Sequence, residues 1–194
     1  MSRIILTNQA SSPDDAGAGK AQLFAKNDGK MYKQIGTGAE TVLVNGQVLN
    51  VQSRSEASTT GFSADSWVLF NSSLDVTITP QSSSSKFLLQ FTAPAGASSQ
   101  RVYMKFVRDT TDVGGGGASG SREACNGASY MGAGAAEQLA GSYLDSPATA
   151  SEIVYHVHVY CSSGTGYLNR SSEDGDSDGS IRGTANFTVM EIAG

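Results

Sequence analysis

The segment 152–161 limits most strongly what this chain can fold into, because both of its alternating faces carry apolar or aromatic residues. Side chains of a β-strand alternate between two faces. One face therefore carries Ile153, Tyr155, Val157, Val159 and Cys161, and the other carries Val154, His156, His158 and Tyr160. A strand of an isolated sandwich normally pairs an apolar face with a polar one. We therefore predict a β-fold whose second face meets another protein surface, as in an oligomer.

Composition and charge narrow the class of protein. Charged residues make up 16% of the 194 residues, and the chain is rich in glycine, with 23 copies, and in Ser and Thr. Such residues build turns and sheet surfaces rather than helices. The net charge is −5 and the basic residues are scattered singly, whereas nucleic-acid-binding proteins concentrate positive charge. We predict an all-β protein without a nucleic-acid partner.

The lengths of the apolar runs and the number of cysteines indicate the cellular compartment of the protein. No stretch approaches the roughly 18 apolar residues of a membrane span, and residues 1–6 are too short for the core of a signal peptide. We expect assembly in a cytoplasm and no insertion into a membrane. Cys125 and Cys161 would be thiols there, although a disulfide between them stays open.

Turn signals divide the chain into two regions. In region 1–61, Asp28-Gly29 lies between short apolar segments and predicts a β-hairpin, and Asn45-Gly46 predicts a second turn. A lone hairpin is marginally stable in water, so this attachment or shaft region would need partner chains or the main domain. Residues 52–61 lack apolar periodicity and are interpreted as a linker.

Region 62–194 is predicted to be a β-sandwich head. Short apolar segments separated by Gly/Ser clusters predict strands at 66–70, 74–79, 86–92, 101–108, 153–161, 166–168 and 185–192. A helix fits only around 133–140, and it would be short. The aromatic residues, Trp67 among them, are assigned mostly to the core. In the last strand Phe187 and Val189 share one face and Met190 and Ile192 the other, which favours a place inside an assembly.

An ordered set of motifs resembles the fibre-head module of bacteriophage tail fibres, notably those of phages of marine bacteria. The matching pieces are Trp67, Thr77-Ile-Thr-Pro80, the serine run before Lys86-Phe-Leu-Leu, Val107-Arg-Asp-Thr110, Tyr143-Leu-Asp-Ser-Pro-Ala148, Tyr167-Leu-Asn-Arg170 and Val189-Met-Glu-Ile-Ala193. Leu23-Phe-Ala-Lys-Asn-Asp-Gly-Lys-Met-Tyr32 resembles an N-terminal segment of such fibres. The resemblance implies a jelly-roll head on a homotrimer, similar to the heads of tumour necrosis factor and complement C1q. It also implies glycan or surface-protein receptors, and it assigns no binding residue.

Two sets of residues carry metal hypotheses, and no cofactor is otherwise expected. His156 and His158 stand two apart on one strand face, so three symmetric copies would present six imidazole nitrogens to a transition metal on the axis. The alternative is that they fill a polar face. Asp174, Asp176 and Asp178 followed by Gly179 match the start of a calcium loop, but Ala185 stands where the bidentate Glu belongs. A solvated acidic turn is the favoured interpretation.

The sequence favours a non-enzymatic function. It has no Gly-x-Ser-x-Gly elbow, and both histidines lie within a strand rather than at loop tips. No repeat period indicates the long solenoid of a polysaccharide-degrading tailspike. No catalytic residue is therefore assigned.

We predict a tail-fibre component of a virion, joined to the tail or an adaptor through its N-terminal region, whose head attaches to a host-surface glycan or protein. Loops 109–150 and 162–184 are the predicted contacts, with Tyr130, Tyr143, Asp174, Asp176 and Asp178 as receptor-binding candidates. Two alternatives stay open. One is a capsid decoration or fibre-connector protein without a receptor, and the other is an extracellular ligand of the C1q type, which would carry a secretory leader and a collagen-like stalk.

Overall fold

The chain forms two compact units, Met1–Gln47 and Val48–Gly194. The computed structural model describes residues 8–9, 21–26, 31–36, 41–42, 46–63, 66–117 and 119–194. The sequence placed the boundary after residue 61, whereas the structure divides the chain fourteen residues earlier, because the segment after Gln47 is a strand of the larger unit.

The smaller unit contains a four-stranded sheet. Its strands are β1 (Asn8–Gln9), β2 (Ala21–Lys26), β3 (Met31–Ile35) and β4 (Thr41–Val42), and they lie side by side in that order. The antiparallel pairing of β2 with β3 places Phe24 opposite Tyr32 and confirms the predicted hairpin. Its turn, at Asp28-Gly29, lies outside the described residues.

The two faces of the β2–β3 hairpin differ. Phe24 is buried and its ring stacks on Tyr32 with centroids 5.9 Å apart, while the Lys26 ammonium lies 4.7 Å from the centroid of the Tyr32 ring. On the opposite face Leu23 and Ile35 are 57% and 62% exposed. The hairpin therefore keeps one aromatic face covered and one apolar face in contact with solvent.

The larger unit is a sandwich of two six-stranded sheets. Its strands are β5 (Val48–Glu56), β6 (Thr60–Ser63), β7 (Val68–Leu69), β8 (Val76–Ile78), β9 (Lys86–Ala97), β10 (Gln100–Arg108), β11 (Thr111–Val113), β12 (Gly127–Met131), β13 (Glu137–Asp145), β14 (Ile153–Cys161), β15 (Thr165–Leu168) and β16 (Ala185–Ile192). A 3-10 turn spans Ser72–Leu74. The β14 sheet contains β7, β8, β10, β11, β12 and β14, and the β9 sheet contains β5, β6, β9, β13, β15 and β16.

One apolar core fills the space between the sheets and confirms the predicted all-β sandwich. Alternate residues of β9, β14 and β16 point into it, so these strands are buried at every second position. Aromatic pairs cross the core: Phe106 stacks on Phe187 with centroids 5.8 Å apart, and Phe87 lies 5.6 Å from Tyr155. Period-two burial therefore fixes which residues of each strand remain on the outer faces.

The predicted linker at 52–61 is wrong, because most of it is strand. β5 pairs along β16, where Ser53 Oγ and Thr188 Oγ1 form a hydrogen bond of 3.0 Å, and β6 pairs with β15. An edge strand that is largely exposed needs few apolar residues, so its Ser-rich sequence has no hydrophobic period. β5 lies in a different sheet from β4, so the strands on either side of the second predicted turn are not paired with each other.

Loop 109–150 was also mispredicted, since it contains β11, β12 and β13 and no helix at 133–140. Two of its glycines are required because other strands approach them closely. A Cβ on Gly127 would lie 2.0 Å from the Ala140 carbonyl oxygen, and a Cβ on Gly141 would lie 2.4 Å from Met104 Sδ. The same composition that resembles a loop thus permits tight packing between β12 and β13.

A buried ionic cluster, here called the Asp145 cluster, joins the two sheets. Asp145 on β13 accepts hydrogen bonds from Arg108 Nη1 at 2.5 Å and from the Tyr155 hydroxyl at 2.7 Å. Asp145 is 5% exposed and Tyr155 is fully buried. Burial, together with the neighbouring carboxylate, raises the pKa of Tyr155 above its usual value, so the phenol stays a proton donor.

Removing the carboxylate should destabilise the sandwich strongly. We expect Asp145→Ala to lower the free energy of unfolding by about 3–5 kcal/mol, because it leaves the Arg108 charge without its partner in a largely buried site. Tyr155→Phe removes one hydrogen bond and should cost about 1–3 kcal/mol. Urea unfolding followed by circular dichroism measures both. Equal stability of Asp145→Ala and the wild type would contradict a role of the cluster in joining the sheets.

A second polar cluster holds β5 against the 3-10 turn. Glu56 Oε2 accepts hydrogen bonds from the Ser73 hydroxyl at 2.5 Å and from Asn71 Nδ2 at 3.2 Å, and Oε1 accepts from the Ser58 amide at 2.7 Å. The hydrogen bonds from Ser73 and then from Ser58 lower the pKa of Glu56 from 4.5 to about 2.

This shift predicts a pH dependence of stability. A carboxyl whose pKa is lower in the folded state stabilises the fold above its unfolded pKa of 4.5, and the contribution is lost as the pH falls toward about 2. We expect Glu56→Gln to flatten the dependence of the unfolding free energy on pH across this window. The exposed Glu152→Gln is the control and should leave the slope unchanged. Identical slopes for the two variants would contradict the assignment.

Candidate functional site

The outer face of the β14 sheet carries polar and aromatic side chains that could bind a ligand. Tyr103 and Lys105 of β10 alternate with core residues and lie opposite Tyr160 and His158 of β14. The sequence predicted that this second face of 152–161 meets another protein surface. The structure shows that it is only half-buried and that part of its cover comes from the same chain. Contact with a second subunit stays a prediction.

Aromatic rings form a row across this face. The Trp67 ring lies 5.5 Å from that of Tyr160, which lies 5.7 Å from that of Tyr103. Lys105 Nζ is 4.6 Å from the centroid of the Trp67 ring and donates a 2.7 Å hydrogen bond to Asp112. The prediction that Trp67 belongs to the core is wrong. Trp67 is half-buried on the outer face, because it precedes β7 and covers Tyr160 from outside.

The connection between β11 and β12 brings charged groups over the row of rings. Trp67 Nε1 donates to Glu123 Oε2 at 2.9 Å, and Arg122 Nη1 donates to the Ser119 carbonyl and hydroxyl oxygens at 3.2 and 3.3 Å. Asn126 fixes the end of the connection through two hydrogen bonds of 2.9 Å. Its side-chain Oδ1 accepts from the Phe106 backbone amide, and its backbone amide donates to the Met104 carbonyl. The loop thus has a defined position over β10.

These elements line an open cavity of about 430 Å³, here called the aromatic groove. Its lining residues are Tyr103, Ser121, Arg122, Glu123, Tyr160 and Ser162. Two tyrosine rings, a carboxylate, a guanidinium and hydroxyl groups therefore share one concave surface. The sequence analysis selected none of these residues as site residues, although strand alternation placed Tyr160 on the correct face.

The histidine pair has an acidic neighbour. Nδ1 of His156 lies 2.9 Å from Oδ1 of Asp75, although neither atom makes a well-directed hydrogen bond. The rings of His156 and His158 are 6.5 Å apart. Burial, then the Lys105 charge, lower the pKa of His158, which favours its neutral form. Across the described ranges no three His, Cys, Asp or Glu side chains are grouped as metal ligands, so the axial metal stays a prediction.

Asp174, the first carboxylate of the predicted calcium pattern, is paired with arginines. Its Oδ1 lies 2.5 Å from Arg182 Nη2, and its Oδ2 lies 3.6 Å from Arg170 Nη1. Asp176 and Asp178 are exposed, and an open cavity of about 280 Å³ lies beside Asp174 and Asp176. The arginines offset the charge that would attract a cation, so the arrangement favours the acidic-turn interpretation. Calcium binding stays untested.

The acidic loop is closed at its base. The Gly183 amide donates to the Asn169 carbonyl at 2.9 Å, and Asn169 Nδ2 donates to the carbonyls of Glu56 and Ser58 at 2.8 and 3.0 Å. Asn169 is fully buried and has a positive φ of 63°, a conformation that Asn tolerates better than most residues. Residues 170–182 therefore project from a fixed base on the sandwich.

The two tyrosines predicted to bind a receptor have different environments. Tyr130 is 59% exposed on β12, with the Arg101 guanidinium carbon 6.0 Å from its ring centroid. Tyr143 is half-buried against the core and fills the space beside Gly114, where a Cβ would lie 2.3 Å from Tyr143 Cγ. Neither lines the aromatic groove. Receptor binding by either residue stays a prediction, and the contacts of Tyr143 indicate a packing role.

Both cysteines are free thiols. Cys161 is buried and its Sγ donates to the Ser163 carbonyl at 3.0 Å, and Cys125 is half-buried. Burial raises the pKa of each thiol, which disfavours the reactive thiolate.

Comparisons with known proteins give little further information. No protein-family profile matches the sequence, and a search of curated proteins returned no match. A chain in the structure of infectious bursal disease virus, Gx strain, is similar with a TM-score of 0.36 and 8% identity over 85% of this chain and 46% of that one. This chain thus spans about half the length of the virus chain. The all-β architecture rests on the strand pairing described above, and no described helix is long and apolar enough to cross a bilayer.

Trp67 provides an optical test of the row of rings, because it is the only tryptophan in the chain. We expect Tyr160→Ala to uncover its indole, shift its emission to longer wavelength and increase quenching by acrylamide. Tyr130→Ala, which removes an exposed ring away from Trp67, should leave both readings unchanged. Unaltered emission in Tyr160→Ala would show that the two rings are not in contact.

Proposed function

We propose that this chain is a virion fibre protein of a bacteriophage, that three copies associate, and that the head attaches the particle to the host-cell surface. The protein would be carried on the virion, with its N-terminal unit joined to the tail or an adaptor. The support comes from surfaces of the sandwich, and above all from an exposed apolar strip on the β9 sheet.

The apolar strip runs across four strands in register. Met190 of β16 lies opposite Val51 of β5 on one side and Leu88 of β9 on the other, and Leu88 lies opposite Leu144 of β13. Val51 and Leu144 are 53% and 46% exposed, and Met190 and Leu88 are half-buried. Ile192 extends the strip opposite Val48, which is 49% exposed.

The surroundings of the strip distinguish it from an ordinary sheet face. The next row on the same face contains Ser53, Thr188, Gln90 and Ser142. Contiguous exposed apolar groups bordered by polar ones are typical of protein interaction sites. The closing strand contributes Met190 and Ile192, so its second apolar face belongs to this surface. Two further copies of the chain are the occupants that we propose for it.

Trimeric association would also explain the smaller unit. Its hairpin exposes Leu23 and Ile35 on one face, which a neighbouring copy would cover. A trimer presents three heads, and a virion that carries several fibres presents a multiple of three. Weak single contacts with a host surface then combine into strong attachment without additional contacts at each site.

A charge placed on the strip tests the assembly. We expect the wild-type protein to have three times the 20.1 kDa mass of one chain in light scattering, and Leu88→Glu to be monomeric because a carboxylate would be buried at the interface. Gln90→Glu adds the same charge two residues along the same strand face and should remain trimeric. Circular dichroism verifies the fold of each variant. A wild-type monomer at micromolar concentration, or equal masses for the two variants, would contradict the proposed interface.

Attachment requires a separate measurement. Fluorescently labelled trimer is incubated with an array of bacterial surface polysaccharides and with the cells from which they were extracted. Retention on cells supports the attachment function. A stable trimer that binds no cells would instead support the alternative role as a capsid decoration or fibre-connector protein.

A further inference from the structure

We infer that the aromatic groove binds a neutral pyranose sugar. This inference rests on the proposed attachment function, and it assigns to one surface the chemical class of receptor. The lining of the groove combines two aromatic rings with both a carboxylate and a guanidinium.

The tyrosines supply the apolar part of the site. A pyranose ring has a face of C–H groups and a rim of hydroxyls, so a protein that binds it needs a flat apolar surface beside polar groups. Tyr103 and Tyr160 are half-buried, and their rings are inclined at 44° with centroids 5.7 Å apart, which gives a shallow aromatic floor. Aromatic side chains provide large contact areas with little conformational entropy to lose on binding.

Glu123 and Arg122 supply the polar part. Trp67 Nε1 occupies one acceptor position of Glu123 Oε2 and fixes the orientation of the carboxylate, which has about four acceptor positions. Arg122 uses Nη1 to bond Ser119, and a guanidinium carries five N–H donors in all. An acceptor and a donor thus stand side by side at the rim, as adjacent sugar hydroxyls require.

Charge selects a neutral sugar over an acidic one. Arg122 and Glu123 carry opposite charges at the mouth of the groove, and the nearby Lys105 is paired with Asp112 at 2.7 Å. A carboxylated sugar would place a second negative charge beside Glu123, and Arg122 is the one cation of the lining that could offset both. A neutral pyranose donates a hydrogen bond to Glu123, accepts one from Arg122 and brings no charge of its own into the groove.

The volume is consistent with one sugar unit or a short glycan. About 430 Å³ lies in the lower part of the range of roughly 300–1,000 Å³ for small-molecule sites. The cavity is open, so little of the ligand is buried and each site should be weak, with a dissociation constant of about 1 mM. The groove lies on the β14 sheet, opposite the apolar strip on the β9 sheet, so a trimer formed through the strip leaves it open. Such a trimer does not use the face of His156 and His158, which the sequence predicted as the interface.

Trp67 reports on the site because its indole is bonded to Glu123. Trimer is titrated with glucose, galactose, mannose and N-acetylglucosamine, with N-acetylneuraminic acid as the acidic comparison. We expect at least one neutral sugar to give a saturable change in Trp67 emission. Tyr103→Ala and Glu123→Gln should weaken its binding at least about tenfold. Glu152→Gln, which removes an exposed carboxylate outside the groove, is matched to Glu123→Gln and should bind as the wild type does.

Saturation-transfer NMR on the same sugars, which needs no fluorophore, checks that the signal arises from contact with the sugar ring. If Tyr103→Ala does not fold, two other variants test the sugar site. Tyr103→Phe keeps the ring and should retain binding, whereas Glu123→Gln should lose it. The inference is overturned if no neutral sugar saturates, if only the acidic sugar does, or if Glu123→Gln binds like the wild type.

The two proposals fail in different ways. Wild-type trimer and Tyr103→Ala that adhere equally to host cells would leave the attachment function standing and overturn the sugar site. Saturable binding of a neutral sugar by a trimer that adheres to no cell would overturn attachment and leave the sugar site standing.

Discussion

Burial of one face of each long strand between the two sheets determines what the opposite faces present. Where β9, β14 and β16 place every second side chain in the core, the remaining side chains are displayed at fixed spacing. The Asp145 cluster adds directional bonds that connect the sheets, so the two outer faces keep one orientation toward each other. Both proposed surfaces depend on this packing.

The two outer faces of the sandwich have different chemistry. The β9 sheet presents aliphatic side chains from Val51 to Leu144 beside polar rows, a surface suited to association between copies of the chain. The β14 sheet presents tyrosines and balanced charges around a cavity, a surface suited to a small polar ligand. Assembly and recognition are therefore assigned to opposite sides of one domain, and neither function needs to obstruct the other.

The sequence predicted those parts of the fold in which period two is visible. Those parts include β14 and β16, whose residues alternate strongly, the Asp28-Gly29 hairpin and the all-β class. The Ser-rich edge strand β5 and the glycine-containing strands β12 and β13 could not be distinguished from loops, because partners distant in sequence determine their conformation. The groove was hidden for the same reason, since it requires the register of Tyr103 with Tyr160 and the position of the loop that carries Glu123.

The closed base of the acidic loop has a consequence for how such a protein diversifies. The backbone bond between Gly183 and Asn169 and the buried Asn169 amide close the base of residues 170–182, and Ser171 and Ser172 pack against the sandwich. Changes confined to the exposed tip 174–179 therefore leave the contacts of the sandwich in place. Lengthening an exposed loop adds only a small entropic term, about 0.6 kcal/mol per doubling. Insertions within this tip should therefore be tolerated, which suits it to variation between related proteins and to the grafting of foreign peptides.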